Sequence, residues 1–220
     1  MEKRATRVLL YIESLLTLEL MRTSLPKSRE TRRLAVDFAN IGRKEGAANG
    51  FPGWGQLIDY LQSNGIVSPE RAEELLELPK ADSSSANGLL RSAEELCLAI
   101  RDSFQARVHN EGLSRDSINT INRVLRITEG HEELVLRGET FRLEFVAAEN
   151  GSEWLLAAIA RSAAEILEEP APSGLRVCSN PGCGLFFYDA SPTRRRRWCS
   201  MAVCGNRQKV AAFARRRSSR

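Results

Sequence analysis

The stretch that decides how the C-terminal part of this chain folds reads Cys178-Ser179-Asn180-Pro181-Gly182-Cys183, followed after a basic loop by Trp198-Cys199-Ser200-Met201-Ala202-Val203-Cys204-Gly205. Its cysteines follow the spacing C-x4-C-x15-C-x4-C, and the only other cysteine of the 220 residues is Cys97. Two close pairs separated by a longer loop suit a tetrahedral ion, because each pair forms a turn that directs two thiolates at one point. The spacing therefore predicts a metal site.

The predicted ligands are Cys178, Cys183, Cys199 and Cys204. Four thiolates favour a structural Zn2+, because they complete its coordination shell and leave no position for a reactive water. In a chain without a recognisable export signal, clustered cysteines favour metal over disulfides. Two disulfides, free thiols and an iron–sulfur cluster are the alternatives. Few apolar residues surround the cysteines, so we expect this segment to lose its structure without metal.

Charge is divided unevenly along the chain. Residues 171–220 hold 11 Lys/Arg and one acid, a net charge of +10, whereas residues 1–170 hold 21 Lys/Arg and 27 acids, a net charge of −6. A basic segment of this kind indicates contact with a polyanion. Some of these arginines could instead offset the negative charge of a zinc ion bound to four thiolates. The candidate nucleic-acid-binding residues are Arg194, Arg195, Arg196, Arg197, Arg207, Lys209, Arg215, Arg216 and Arg217.

Most of the remaining sequence has the apolar spacing of helices. Predicted helices cover 8–21, 31–43, 54–62, 69–78, about 89–108, 115–125, 152–168 and 206–217, and strands cover 134–137 and 140–146. Ser68-Pro69 marks the start of the helix at 69–78, and Pro79 should end it. We expect a polar loop at 81–88 between this helix and the next one, at about 89–108.

The predicted fold class is mainly α (α+β). We expect an N-terminal helical extension (1–33) and a helical regulatory or sensor domain with a small β-hairpin (34–170). A linker at 170–174 leads to a zinc-ribbon-like module (175–220) that ends in a basic helix.

Other residues give weaker indications. Asp37 and Asn40 lie three apart on a predicted helix and share a face. They could line a small-molecule pocket, or hydrogen-bond a neighbouring loop such as 46–55. Cys97, between two leucines, is expected to be a buried core thiol. His109 and His131 belong to no recognisable catalytic constellation, so we do not expect an enzyme. No apolar run is long enough to cross a membrane, and we expect a cytoplasmic protein.

Two segments resemble known families. Trp198-Cys199-Ser200-Met201 with Cys204-Gly205-Asn206-Arg207, preceded by Cys178–Cys183, resembles the CGNR zinc finger of bacterial proteins. Leu34-Ala35-Val36-Asp37-Phe38-Ala39-Asn40 resembles the opening motif of a family of stress-induced transcription regulators that carry this finger at the C-terminus. Where such proteins have a small polar residue at position 41, this chain has Ile41.

The resemblance implies a DNA-binding transcription regulator that holds Zn2+ with its four cysteines. A homodimer is expected, because two half-sites multiply specificity, and a small-molecule effector would act on the body. The alternatives are a zinc-stabilised module that docks on an acidic protein or on the acidic body itself, and an RNA-binding module. In the RNA-binding alternative, aromatic residues would stack on unpaired bases: Phe186, Phe187, Tyr188 and Trp198.

Overall fold

A computed structural model describes residues 28–43, 51, 53–126, 130–137, 140–147, 152–169 and 174–218. The helix expected at 8–21 lies outside these residues. So do most of the glycine-rich loop at 46–55 and most of the linker at 170–174.

The fold is mainly helical with one antiparallel hairpin, as predicted. The helices are α1 (Ser28–Ala39), α2 (Trp54–Ser63), α3 (Pro69–Ala81), α4 (Ser83–His109), α5 (Arg115–Arg126), α6 (Ala157–Glu168) and α7 (Asn206–Ser218). Strands β1 (Gly130–Arg137) and β2 (Thr140–Ala147) pair with Gly130 opposite Ala147 and Arg137 opposite Thr140. A short 3-10 helix, Ser152–Leu156, precedes α6, and a π-helix, Met201–Gly205, precedes α7. Strands β3 (Leu175–Val177) and β4 (Phe186–Tyr188) form a second small antiparallel sheet.

Helix α1 lies at the centre of the body. Its Phe38 is fully buried and contacts Tyr60 of α2, with ring centroids 5.3 Å apart. The Tyr60 hydroxyl donates to the carbonyl of Leu34 (2.7 Å), and the amide of Ala35 donates to Ser162 Oγ of α6 (2.9 Å). Buried polar groups with partners of this kind avoid the cost of desolvation, so they fix the relative positions of α1, α2 and α6.

Helix α4 presents the apolar face that its sequence predicts, with Leu89, Ala93, Leu96, Ile100 and Phe104 all buried. Cys97 is also buried, as expected, and its thiol donates to the carbonyl of Phe38 (3.5 Å). Burial raises the pKa of the Cys97 thiol to about 11, so it is protonated and unreactive at neutral pH.

Helix α3 does not end at Pro79, and this prediction was wrong: the helix continues to Ala81. Proline has no N–H to give to the carbonyl four residues earlier, which is that of Leu75. The indole Nε1–H of Trp54 donates to that carbonyl instead (2.9 Å). A tertiary contact thus satisfies the acceptor that Pro79 leaves without its helical donor.

Residues 81–88 are not a loop, which corrects a second prediction. Asp82 is the N-cap of α4, and its Oδ1 accepts from the amides of Ser84 (3.1 Å) and Ser85 (3.0 Å). A polar run directly after a capping aspartate forms the first turns of a helix, because the cap satisfies two of its free amides.

Helix α1 is also shorter at its C-terminus than the predicted helix at 31–43. It ends at Ala39, whose carbonyl accepts from Arg101 Nε of α4 (2.6 Å), and a turn follows at 40–43. The apolar spacing continues through Ile41, but the Asn40 side chain is held by a strand far along the chain, as the next section shows.

Candidate metal centre and the basic surface around it

The four predicted ligands come together. The Sγ atoms of Cys178, Cys183, Cys199 and Cys204 all lie within 4.8 Å of one another, and all four cysteines are free thiols. The Sγ atoms of Cys183 and Cys199 are 3.6 Å apart, and those of Cys199 and Cys204 are 3.7 Å apart. With Zn–S bonds of about 2.3 Å, the edges of a tetrahedron measure about 3.8 Å. The cluster therefore fits a zinc ion, which these four cysteines could hold.

The first pair of ligands is positioned by the small sheet. Cys178 directly follows β3, and its amide donates to the carbonyl of Leu185 (2.9 Å). The amide of Cys183 donates to the carbonyl of Asn180 (2.9 Å), which closes the turn between the two cysteines. Gly184 has a φ of +63°, a backbone conformation that favours glycine, and this allows the chain to return into β4.

The second pair is positioned by the π-helix. Ser200 caps it, since its Oγ accepts from the amide of Val203 (3.3 Å) and its carbonyl accepts from the amide of Gly205 (3.0 Å). A Cβ at Gly205 would lie only 3.2 Å from atoms of Trp198 and Met201. Glycine at this position therefore lets the turn after Cys204 close against the tryptophan.

Asn180 links the cysteine cluster to α7. It is buried, its amide nitrogen donates to Cys204 Sγ (3.5 Å), and its Oδ1 accepts from Gln208 Nε2 of α7 (2.9 Å). Asn180's hydrogen bond lowers the pKa of Cys204, whereas burial and the neighbouring thiols raise the pKa of Cys199. A thiolate is the form that binds zinc, so Asn180 favours the ligating form of Cys204.

The metal module is joined to the body by buried contacts. The side-chain Nδ2 of Asn40 donates to the backbone carbonyl of Phe186 in β4 (2.8 Å), and the backbone amide of Phe186 donates back to Asn40 Oδ1 (2.9 Å). Asn40 is only 2% exposed. The ring of Phe186 packs edge-on against Phe104 of α4, with centroids 5.7 Å apart, and Leu175 of β3 also enters the core of the body.

Arg43 adds a contact outside this buried pair. Its Nη1 donates to the carbonyl of Gly184 (2.6 Å), at the turn that follows the second ligand. Asn40 thus bonds to another segment, which among the described residues is β4; most of the loop at 46–55 lies outside them. A ligand-binding role for Asp37 and Asn40 stays a prediction.

Asp189 organises the basic loop. It is buried, and its Oδ1 accepts from the amide (3.0 Å) and hydroxyl (2.6 Å) of Ser191, while its Oδ2 accepts from the amide of Arg196 (2.8 Å). Burial by itself would raise the pKa of Asp189, but the hydrogen bonds from Ser191 and Arg196 lower it below its ordinary value. The only acid of residues 171–220 therefore holds the loop in place.

The four arginines of the loop are all exposed, yet they differ in their contacts. Arg196 Nε donates to the carbonyl of Trp198 (2.8 Å), its Nη2 donates to the carbonyl of Cys199, and its guanidinium lies 4.9 Å from the centroid of Phe187. Arg197 lies over Trp198 at 5.2 Å. Arg195 has no hydrogen bond or ion pair within the described part of the chain. Arg196 is thus held against the backbone beside Cys199 and over Phe187; a role in offsetting the charge of bound zinc stays a prediction.

Helix α7 extends the basic surface. It carries Arg207, Lys209, Arg215, Arg216 and Arg217 and no acid, and all five side chains are exposed. The half-buried positions of the helix are Gln208, Ala211 and Ala212, which define the face toward the metal module. The predicted cationic residues of the loop and of α7 therefore lie on the same module as the four cysteines.

Sequence reasoning missed Asn180, Asp189 and Gln208. Asp189 could have been found, since a single acid among 11 cations is a candidate for a structural hydrogen-bond acceptor. Asn180 lies between two ligands, where a side chain that donates to sulfur is useful. Gln208 carries no such signal, because its role depends on the path of the chain after Cys204.

Two family models match the chain. The CGNR zinc finger matches residues 175–217, and ABATE, described as "Putative stress-induced transcription regulator", matches residues 32–170. The second match spans more than half of the 220 residues. The chain belongs to the ABATE family. The resemblances that the sequence predicted are thus confirmed, and this ABATE protein carries a zinc module behind its helical body. No curated protein matches the sequence. Among the described residues, no helix is long and apolar enough to cross a membrane.

Proposed function

We propose that this protein is a transcription regulator that binds duplex DNA through α7 and the loop at 194–197. The observation that carries the proposal is α7 itself: five exposed cationic side chains, no acid, and only one face turned toward its own module. A cationic helix that leaves a zinc site has the charge and shape to enter a DNA groove, as helices of other zinc modules do. The helical body would receive a signal or mediate dimerisation.

Binding to the phosphate backbone would fall to the cations without structural contacts. These are Arg195, Arg207 and Lys209, whose exposed side chains make no hydrogen bond or ion pair among the described residues. Arg196 has a different task, because its guanidinium is held by two carbonyls and the ring of Phe187. The structure therefore supports only part of the basic cluster as a DNA surface.

Two observations favour duplex DNA over single-stranded RNA. Stacking on unpaired bases needs exposed aromatic rings, but two of the four aromatic residues that the RNA-binding alternative uses, Phe186 and Phe187, are buried. The hydroxyl of Tyr188 is hydrogen-bonded to the carboxylate of Glu169 (2.6 Å). We also propose that zinc has a structural and not a catalytic role in this DNA-binding module, because four sulfur ligands leave zinc no open coordination position.

The test is a fluorescence-anisotropy titration of the zinc-loaded full-length chain against pooled duplex fragments, at low and near-physiological salt. We expect affinity to rise steeply at low salt, and a subset of fragments to resist competitor DNA. Arg207→Ala with Lys209→Ala should reduce the log–log salt slope by about 2, since each phosphate contact contributes about 0.9. Arg91→Ala, which removes an exposed cation from α4 of the body, is the matched control and should leave the slope unchanged.

No duplex binding at any salt, with zinc content confirmed, would remove the proposed function. In that case the acidic body and acidic partner proteins become the candidates for what the basic module contacts. Binding whose salt slope is the same in the double variant would leave the DNA-binding role intact but place the interface away from α7.

A further inference from the structure

One face of helix α7 does not pack against the metal module, and its residues are not all charged. Its half-buried positions, Gln208, Ala211 and Ala212, lie on one side. At 3.6 residues per turn, the opposite side carries Asn206, Val210, Phe213 and Arg217. We refer to these four residues as the outward strip. Lys209 and Arg216 flank the strip on one edge, and Arg207 flanks it on the other.

The centre of the outward strip is apolar. Val210 is 61% exposed and Phe213 is 57% exposed, which is unusual for large apolar side chains in the middle of a cationic helix. Arg217 lies 6.0 Å from the centroid of the Phe213 ring, so the strip ends in a cation–π pair. Burying this surface against a partner would be favourable in proportion to its apolar area.

A second copy of the same helix is a poor partner for this surface. Each α7 carries five cations and no acid, so pairing two strips would bring ten positive charges together around a small apolar contact. Like charges in contact oppose association. The partner should instead be strongly anionic at its edges and present small apolar groups at its centre.

The major groove of duplex DNA has this arrangement. It is about 12 Å wide, it accepts an α-helix, and its walls are phosphates. The apolar group on its floor is the 5-methyl of thymine, which valine and phenylalanine side chains contact without hydrogen bonds. Val210 and Phe213 are three residues apart, a rise of about 4.5 Å along the helix, which compares with about 3.4 Å between base pairs.

We propose that α7 lies in the major groove with its outward strip inward, and that Val210 and Phe213 select sites by contacting thymine methyl groups on neighbouring base pairs. Lys209 would bind one phosphate wall and Arg207 the other. This inference rests on the proposed DNA-binding function and adds to it the residues that determine sequence preference and the group that they recognise.

The test replaces thymine by deoxyuridine in the tightest-binding duplex from the pooled fragments, which removes the methyl and keeps every hydrogen-bonding group. We expect the removal of each contacted methyl to weaken binding by the wild-type chain about fourfold, which corresponds to the transfer free energy of one buried carbon. Val210→Ala with Phe213→Ala should weaken binding to the thymine duplex and make the protein insensitive to deoxyuridine. Leu98→Ala, at an apolar position of α4 that is also exposed, is the control and should keep full sensitivity.

Zinc content and thermal midpoint establish that the variants are folded. Wild-type protein that binds the deoxyuridine duplex as tightly as the thymine duplex would overturn the inference while leaving the DNA-binding proposal standing. A double variant that keeps full deoxyuridine sensitivity would also overturn it. A double variant that turns a dimer into a monomer by sedimentation, with its thymine dependence unchanged, would assign the strip to a second copy. No duplex binding at all would instead defeat the proposed function on which the inference rests.

Discussion

The metal module has two halves that are built for different surroundings. The first half, from β3 through β4, places Leu175 and Phe186 in the core of the body, where Asn40 hydrogen-bonds both backbone groups of Phe186. The second half, from Cys199 through the π-helix and α7, exposes its apolar and cationic side chains. Each half supplies two of the four cysteines. The first half of the module is therefore fixed in the body, whereas the second half is exposed.

Asn180, together with the zinc ion that the four cysteines could hold, connects these halves. Asn180 lies between the cysteines of the first half, and it contacts Cys204 and Gln208 of the second. If this connection is the only firm one, breaking it should free α7 and leave the first half against the body.

Loss of a ligand should have the largest effect. Cys199→Ser leaves three thiolates, and because structural zinc contributes about 10–16 kcal/mol to the folding of small zinc modules, we expect zinc to be lost and α7 to unfold. Metal analysis should fall from one zinc per chain to none, and the helical signal in circular dichroism should decrease. Cys97→Ala, at the buried cysteine away from the cluster, should retain one zinc. A Cys199→Ser protein with full zinc content would contradict the assigned ligand set.

Removing the Asn40 side chain should have the next largest effect. Asn40→Ala leaves the amide and carbonyl of Phe186 buried without partners, and we expect a loss of about 3 kcal/mol in the free energy of unfolding. Denaturant titration of zinc-loaded protein measures it. Asn64→Ala is the control, since the side chain of Asn64 donates to the carbonyl of Tyr60 at the more exposed end of α2. Equal losses of unfolding free energy in the two variants would mean that the contact of Asn40 with β4 stabilises the protein no more than an ordinary helix-end hydrogen bond does.

These two sites also show what the sequence could predict. The cysteine spacing predicted the cluster that the four thiols form, because ligand geometry is local: each pair forms its own turn. The pairing of Asn40 with Phe186 joins residues 146 positions apart, and no local pattern encodes such a contact. The sequence indicated that Asn40 lies on a helix face with Asp37, but not which segment would meet that face.

The helical body shows the same division. The face of α4 follows from its apolar spacing, so Leu89 and Phe104 were predicted as buried and are buried. The end of α3 was not predictable, because Pro79 is tolerated only when Trp54, from another helix, supplies the donor that proline lacks. The apolar spacing of a helix can be recognised in its own sequence. A helix that continues past a proline depends on a contact from another segment, which its own sequence does not show.

A smaller effect separates two adjacent arginines of the basic loop. Arg196→Ala removes hydrogen bonds to Trp198 and Cys199 and the contact with Phe187, so we expect stability to fall by about 1 kcal/mol. Arg195→Ala should leave stability unchanged and weaken only DNA binding. Thermal unfolding and anisotropy, measured on both variants, separate the two roles. The reverse pattern would show that Arg196 is the DNA-binding residue of the pair.

The smallest expected effect is on pH dependence. The pKa of Asp189 is lower in the folded chain than its ordinary value of 3.8, so its carboxylate contributes stability above that value. This contribution is lost as pH falls through the lower, folded pKa. The difference in unfolding free energy between wild type and Asp189→Asn should therefore shrink between about pH 5 and pH 2. The difference is taken only at pH values at which metal analysis shows one zinc per chain in both proteins, because loss of zinc would itself unfold the loop. A difference that stays constant would exclude the charged carboxylate as the organiser of the loop.

The first half of the module belongs to the core of the body, and we propose that the second half contacts DNA. Hydrogen–deuterium exchange of the zinc-loaded chain, with and without bound duplex, tests it most directly. We predict slow exchange in β4 in both states, and exchange in α7 that is fast in the free protein and slow when duplex is bound. Protection by duplex on a face of the body, for example along α4, with α7 unchanged, would contradict the account.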